Sequence, residues 1–432
     1  MSSVILAAPG VPGELNPILE LARDLLARGH EVVVVTNTMF EPAVTVTGAR
    51  FVAVGGAHDL DEHGLSALLS EGAALPPGPE LLNFQWSRLF ADPIADQHAT
   101  LQRLLDEDPT RVLITNSVFL GAWPVALGAP GRRPARWIAV GANPLSASSI
   151  DTTAFGPVPA KPGQDPHAGN VAANAGLAAA TEPTRLHIEK ILRSLGADQA
   201  VPPFVDGIVT VPDIFVSLSV QAFDFPRSDL PSNILYAGIL APAPSAQWTP
   251  PEWWADLDGD RPVVAVTQGT VANRDLTELI EPTLHALADS DLLVVAATGR
   301  EDDAIGATVP DNARVTPFVP FSELLPKCAL LVTNGGFGAT QQALAAGVPV
   351  VVAGATEDKP MTAARVAFHH LGVNLDTANP SPAQIREAVE RVLADTQIAV
   401  NVTNISTTYQ THDARKEIAD LIHLPGQIQS EN

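Results

Sequence analysis

Two apolar patterns alternate along this chain. The first is a short run that is apolar almost throughout: Val4 to Ala8, Glu31 to Thr36, Arg111 to Thr115, Arg136 to Val140, Val263 to Thr267, Leu292 to Ala297, Ala329 to Thr333 and Val348 to Ala353. Without polar alternation, runs of this length read as strands buried on both faces. Shorter runs at Phe51 to Val54, Ile214 to Ser219 and Ala313 to Pro317 extend the set. The second pattern spaces apolar residues three and four apart, as in Ile18, Leu21, Ala22, Leu25 and Leu26, and marks helices. Helices are also predicted at Trp123 to Leu127, Thr184 to Leu195, Leu276 to Ala288, Ala339 to Ala346, Pro382 to Leu393 and Thr411 to Ile422. Strand and helix in alternation predict an α/β fold with parallel sheets wound on both faces. The alternation runs up to Ile239 and restarts at Val263, so two doubly wound domains facing across a cleft are expected.

Prolines at 242, 244, 250 and 251 make residues 239–251 a semi-rigid linker. The expected boundaries are 1–238 for the first domain, 252–410 for the second, and 411–432 for a C-terminal helix able to pack back on the first domain. Gly55 to Pro79, rich in Gly, Ala, Pro and acidic residues, reads as a mobile loop. The Ala-, Gly-, Pro- and Ser-rich stretch from Ala142 to Glu182 reads as a long irregular insert, of the kind that binds or stays disordered.

Composition narrows the class. With 432 residues, 46% hydrophobic and 17% charged, the chain is long enough for a large core and too apolar for disorder. A formal net charge of −23 argues against nucleic acid and anionic membrane as partners, since both need basic patches. No apolar run approaches the ~20 residues that cross a bilayer. One cysteine, Cys328, leaves no intramolecular disulfide and fits a reducing compartment. The start, MSSVILAAPG, has no basic region ahead of its apolar residues. A cytoplasmic protein, monomer or homodimer, is expected. No His, Cys and carboxylate cluster suggests a metal.

Two loops carry candidate chemistry. In the first, the strand ending at Ala8 runs into Pro9-Gly10-Val11-Pro12-Gly13-Glu14, at the strand end where such sheets bind ligands. Its glycine spacing is not that of a dinucleotide fingerprint. Position alone accounts for Glu14 as a carboxylate complementing a helix dipole; a cleft-facing role is the alternative. In the second, Gly335, Gly336 and Gly338 separate a strand from a helix. Glycines admit a ligand close to the backbone, and the free N–H groups of the helix start suit a phosphate. A turn that only packs a helix on a sheet has the same short motif.

The chain resembles a family 1 nucleotide-sugar glycosyltransferase of the two-Rossmann-domain (GT-B) architecture, in the bacterial natural-product, macrolide-type branch. The resemblance spans nearly the whole length. It rests on Gly13-Glu14-x-Asn16-Pro17, on Thr267 to Thr270, on Phe318-Val319-Pro320, and on the Gly-Gly-x-Gly, Ala-Leu-x-x-Gly-Val-Pro, Glu-Asp-Lys and Ala-x-Arg-Val series between Leu331 and Asp376. It implies a UDP- or TDP-sugar as co-substrate, no further cofactor, and a hydrophobic small-molecule acceptor. Phe318 stands where a ring stacks on the base, with backbone around Val319 on the base edge. Gly335, Gly336, Phe337 and Gly338 would bring N–H groups to the diphosphate, with Gln268, Gly269 and Thr270 approaching from the other strand. Gln342 stands where a Glu usually holds the ribose, and Asp358 and Lys359 where an Asp-Gln pair holds the sugar. Pro12, Phe84, Trp86, Phe90, Trp123, Asn143 and Phe155 are candidate acceptor contacts, the aromatic ones also readable as core.

Departures from the family pattern matter. Asn334 replaces a His before Gly-Gly, Ala339 replaces a hydroxyl residue, and Lys359 replaces a Gln. The family's usual base is a His steadied by an Asp; here those positions are Glu14 and Asn116. The two changes agree, because a neutral His needs a carboxylate partner, whereas a Glu base would only be repelled by one. The implied reaction is inversion at the anomeric carbon with Glu14 as general base and no metal. A nucleotide-sugar epimerase, or an inert helper subunit of another transferase, are the rivals.

Overall fold

The computed structural model describes residues 1–76, 78–240, 248–269, 275–300, 305–306 and 308–423. In it the apolar runs form two all-parallel sheets. The first contains β1 (Ser3–Ala7), β2 (Glu31–Thr36), β3 (Arg50–Ala53), β4 (Val112–Asn116), β5 (Arg136–Gly141), β6 (Ile214–Ser217) and β7 (Ile234–Tyr236), in the order β3-β2-β1-β4-β5-β6-β7. The second contains β8 (Val263–Thr267), β9 (Leu293–Ala297), β10 (Ala313–Thr316), β11 (Leu330–Thr333), β12 (Val350–Val352) and β13 (Gly372–Asn374), in the order β10-β9-β8-β11-β12-β13. The central strands β1, β4, β8 and β11 are buried almost throughout, as their unbroken apolar runs require.

Strand order reverses between β1 and β4 in one sheet and between β8 and β11 in the other. At such a switch point the loops leave in opposite directions and open a crevice at the carboxyl ends of the strands. Register sets what lines each crevice. Ala7 pairs with Thr115, so the loop before Glu14 lies beside Asn116. Thr267 pairs with Thr333, so Gln268 lies beside Asn334.

Helices differ from expectation where the chain is poor in large apolar residues. Glu62–Ala73, within the stretch expected to be a loop, is a helix started by Asp61, whose carboxylate accepts from Gly64 N at 2.7 Å. Ala168–Ala180, within the expected irregular insert, is also a helix. The helix expected over Leu276 to Ala288 is confined to Ile280–Leu287. That expected at Thr411 to Ile422 is Ala414–Leu421, and a longer one, Thr396–Gln410, precedes it. Ala414, Ile418 and Leu421 lie in the core beneath the first sheet, among Val4, Leu6 and Ile18. Most of the expected linker, 241–247, and Thr270 lie outside the described residues.

Candidate active site

Glu14 sits inside a helix, Pro12–Ala27, in its first turn rather than ahead of it. Val11 is extended and Pro12 takes the first helical position, where a missing N–H costs nothing. Asn116, the last residue of β4, is buried and donates from Nδ2 to Glu14 Oε2 at 2.6 Å. Its Oδ1 accepts from Val118 N at 3.0 Å, which fixes the amide with its donor towards Glu14. Asn143, beyond the end of β5, donates to Glu14 Oε1 at 2.9 Å. Each carboxylate oxygen therefore receives one amide N–H, and Asn143 joins Asn116 in orienting Glu14. Burial pushes the Glu14 pKa up, and the two amide hydrogen bonds, Asn143 then Asn116, only partly offset it.

In the second half of the chain, Asp358 stands at the start of the helix Lys359–Phe368, with no capping hydrogen bond from its side chain. Its pKa is pushed up to about 6, chiefly by burial, with Lys359 opposing and the charges of Glu357 and Glu14 adding to the rise. Carboxylates from the two halves of the chain thus feel each other's field. Lys359 is buried, its ammonium on Glu357 and on Thr356 Oγ1.

The glycine turn is built as a cradle. Gly335 has φ of 87°, a left-handed conformation that favours glycine. A side chain at Gly354 would strike Asn334 O at 2.0 Å, so this loop packs directly under the turn. Asn334 Nδ2 donates to Gln268 O at 2.6 Å, tying the loops after β11 and β8 together. The helix Phe337–Ala345 then starts with no side-chain cap, and a Cβ at Gly338 would meet nothing within 4 Å among the described residues. Gly338 itself is exposed. Gly269, φ 74°, likewise has no described residue within 4 Å of its Cβ position. Phe318 is 61% exposed and available for stacking, with Val319 buried behind it.

Several expected contacts fall elsewhere. The Gln268 side chain is a structural cap: its Oε1 accepts from Ile280 N at 3.1 Å and its Nε2 donates to Asp275 O at 2.8 Å. The Phe337 ring is buried and stacks on Phe223 at 6.1 Å, leaving its backbone N–H as its only ligand group. Gln342 Nε2 returns to Gly338 O at 3.3 Å. Trp123, 1% exposed, is core and offers no face to an acceptor. Trp86 and Phe90 pack on Phe204 at 4.6 and 6.4 Å. Phe84 lies beside Gly72 of the unexpected helix Glu62–Ala73. Pro12 and Phe155 stay accessible, the latter strongly exposed. A cavity of about 210 Å³ instead opens beside Pro9, Gly10 and Val11, lined by Leu60, Leu65 and Leu89. Its walls come from segments far apart in sequence, which spacing alone does not bring together.

Residues 281–424 match the family described as Erythromycin biosynthesis protein CIII-like, C-terminal domain. The chain is 36% identical over 431 residues to UDP-glycosyltransferase 2 of Phaeomoniella chlamydospora, covering 97% of this chain and 94% of the relative. It is 34% identical over 423 residues to 4'-demethylrebeccamycin synthase of Lentzea aerocolonigenes, covering 97% and 98%. Among solved structures, CalG4, the calicheamicin glycosyltransferase, superposes with a TM-score of 0.73 at 21% identity over 99% of both chains. The glycosyltransferase VinC in complex with DTDP superposes with a TM-score of 0.68 at 20% identity, over 97% of this chain and 98% of that one. Two parallel sheets, each with its crevice, and identity above 30% over nearly the full length to such relatives lead to one conclusion: the chain belongs to the nucleotide-sugar glycosyltransferases of GT-B fold, in the natural-product branch, and is an enzyme of that class.

Proposed function

We propose that the protein transfers a sugar, with inversion, from a UDP- or TDP-sugar to a hydroxyl of a hydrophobic small molecule, with Glu14 as general base and with neither metal nor further cofactor. The observation that carries this reading is Glu14 itself, held by Asn116 and Asn143 within the electrostatic reach of Asp358. A carboxylate with both oxygens oriented keeps lone pairs for an incoming hydroxyl proton, and its raised pKa makes it a stronger base than a solvated Glu. The diphosphate leaves towards the uncapped start of Phe337–Ala345, whose N–H groups and dipole stabilise the growing charge. Asp358 holds sugar hydroxyls, and Phe318 stacks on the base. The names of the relatives support a nucleoside-diphosphate donor and a natural-product acceptor.

The test is Glu14→Gln, assayed by mass spectrometry across UDP- and TDP-sugars and polyphenol or macrolide aglycones. The wild type glycosylates at least one aglycone with inverted anomeric configuration. The variant keeps donor affinity and loses ~10²–10⁴-fold in kcat, the usual worth of a general base. Unchanged kcat would remove Glu14 from the mechanism. A product of retained configuration would overturn the single-displacement mechanism.

A further inference from the structure

The cavity beside Val11 is lined by His58, whose carboxylate partner Asp96 lies behind the wall; the proposed mechanism uses neither. His58 Nδ1 lies 2.8 Å from Asp96 Oδ2, and His58 N donates to the same oxygen at 3.3 Å. The loop is shaped around that carboxylate. Gly55 and Gly56 have φ of 73° and 71°, and a Cβ at Gly56 would lie 2.2 Å from Asp96 Oδ1. Asn37 Nδ2 donates to His58 O at 2.9 Å and clamps the loop from the β2 side. When the ring is neutral, giving Nδ1–H to the carboxylate leaves Nε2 as a hydrogen-bond acceptor. Among the described residues no donor meets that nitrogen.

The charged groups on the wall are paired. Arg88 pairs with Asp92 at 3.2 Å, and His187 Nε2 lies 2.7 Å from the other oxygen of Asp92. Gln97 has no such partner. It is 1% exposed, its Oε1 has no partner, and its side-chain amide makes no hydrogen bond among the described residues. An amide tied at neither end can turn either its donor or its acceptor to a ligand. The remaining wall, Val11, Val54, Leu60, Leu65, Leu68 and Leu89, is apolar. At about 210 Å³ the cavity falls below the ~300–1,000 Å³ of sites for drug-sized ligands, so it holds one end of an acceptor.

We propose that His58, positioned by Asp96, determines acceptor specificity: it selects acceptors that carry, besides the hydroxyl to be glycosylated, a second hydroxyl that donates to Nε2, with Gln97 meeting a polar atom of the same end. This inference rests on the transferase reading above and adds the chemistry of the acceptor's non-reacting end. Val11 joins the two sites, because it lines the cavity and directly precedes the helix that carries Glu14.

The test offers aromatic diols, each paired with its mono-O-methyl ether: resorcinol, a dihydroxynaphthalene and a dihydroxyflavone, with UDP- and TDP-sugars as donors. Wild-type kcat/KM favours the diol over its ether by ~10-fold or more, mostly through KM, as expected where a site is built to bond a substrate hydroxyl. His58→Leu brings the ratio near unity with donor KM unchanged. His58→Gln, which keeps an acceptor atom, retains most of the preference, and Asp96→Asn lowers it without reversing it. A merely structural pair would change the melting temperature and leave the ratio alone. Transfer by the wild type without preference, or a preference that survives in His58→Leu, overturns the inference while leaving the transferase reading intact. Transfer to no member of the panel overturns both.

Discussion

Glu14 balances two opposed effects. Burial raises its pKa, and the amides of Asn143 and Asn116 hold it lower than burial alone would. A base works ionised, so kcat/KM must rise with pH through the Glu14 pKa and level off above it. Asn116→Asp sharpens this into a prediction. It replaces the donor at 2.6 Å with a second carboxylate, and like-charge repulsion pushes the Glu14 pKa up further. The acidic limb of the pH–rate profile then moves to higher pH by about one unit or more; a limb that stays in place excludes Glu14 as the titrating base. Asp358 gives a stability prediction. Its pKa is near 6 when folded and about 3.8 otherwise, so the folded state keeps a proton that the unfolded state has lost. Stability therefore falls as pH rises through that window, and at pH 7 the buried charge costs up to ~3 kcal/mol. Asp358→Asn, which loses no capping bond, melts higher than the wild type at pH 7 and level with it near pH 4, as thermal scans would show, while losing transfer. At this scale Glu14 and Asn116 were legible as a matched substitution. Asn143 was expected as an acceptor contact; its hydrogen bond to Glu14 was not legible, since 129 positions separate them. Gln268 stands at an expected donor position, yet its side chain caps Ile280; spacing places a backbone and does not say where an amide turns.

Strands were the most legible elements, because a strand covered on both faces leaves an unbroken apolar run, as at Val263 to Thr267 and Val348 to Ala353. Helices that bury something other than hydrocarbon escape the same pattern. Ala168–Ala180 buries Asn170 and Asn174, whose amides satisfy Val158 N and the carbonyls of Ser149, Ile150 and Thr152. Its inner face is polar, so apolar spacing cannot reveal it. Thr396–Gln410 does carry a stripe, Ile398, Val402, Ile405 and Tyr409, but threonines and asparagines dilute it. The glycine turn makes a prediction at the level of the element. Gly338 lies in a helix with open space at its Cβ position, so Gly338→Ala gains ~0.5–1 kcal/mol of helix stability. Its methyl also intrudes where the proposed reaction puts the diphosphate, so donor KM rises as the melting temperature holds or increases. Gly354→Ala does the opposite: its Cβ would strike Asn334 O at 2.0 Å, and folding suffers before binding can be measured. Titration calorimetry with UDP and TDP, beside melting curves, separates the two.

At the scale of the molecule, the question is what holds Glu14 and Asp358 to a common frame. The helix Lys359–Phe368 begins at Asp358 and carries Arg365, which is buried against the first half of the chain. Its guanidinium pairs with Asp224 Oδ1 at 2.8 Å, donates to the carbonyls of Leu145 at 2.7 Å and Ala154 at 3.2 Å, and lies 4.5 Å from the Phe225 ring. Asp224 also binds Arg227 at 3.2 Å and the Tyr236 hydroxyl at 2.6 Å, and its backbone carbonyl meets His369 Nε2 at 2.8 Å. Burial alone would raise the Asp224 pKa, but Arg365 and Arg227 reverse this and hold it below the ordinary carboxylate range. Arg365 was visible as part of the Ala-x-Arg-Val series, yet nothing local showed that its partner lies 141 residues away. Removing one member of a buried pair strands the other, typically at 3–5 kcal/mol, so Arg365→Leu lowers the melting temperature sharply. Arg365→Lys is the more informative change. A lysine keeps the charge but has no planar fork to serve a carboxylate and two carbonyls together. The helix can then shift against the first sheet and carry Asp358 away from Glu14. In Arg365→Lys, at a temperature where circular dichroism reports a folded protein, UDP or TDP still binds at the glycine turn while kcat falls. An unchanged kcat there would mean that the frame is set instead by Gln341, whose Nε2 reaches Leu218 O at 3.0 Å, and by the helix Ala414–Leu421 in the core of the first half.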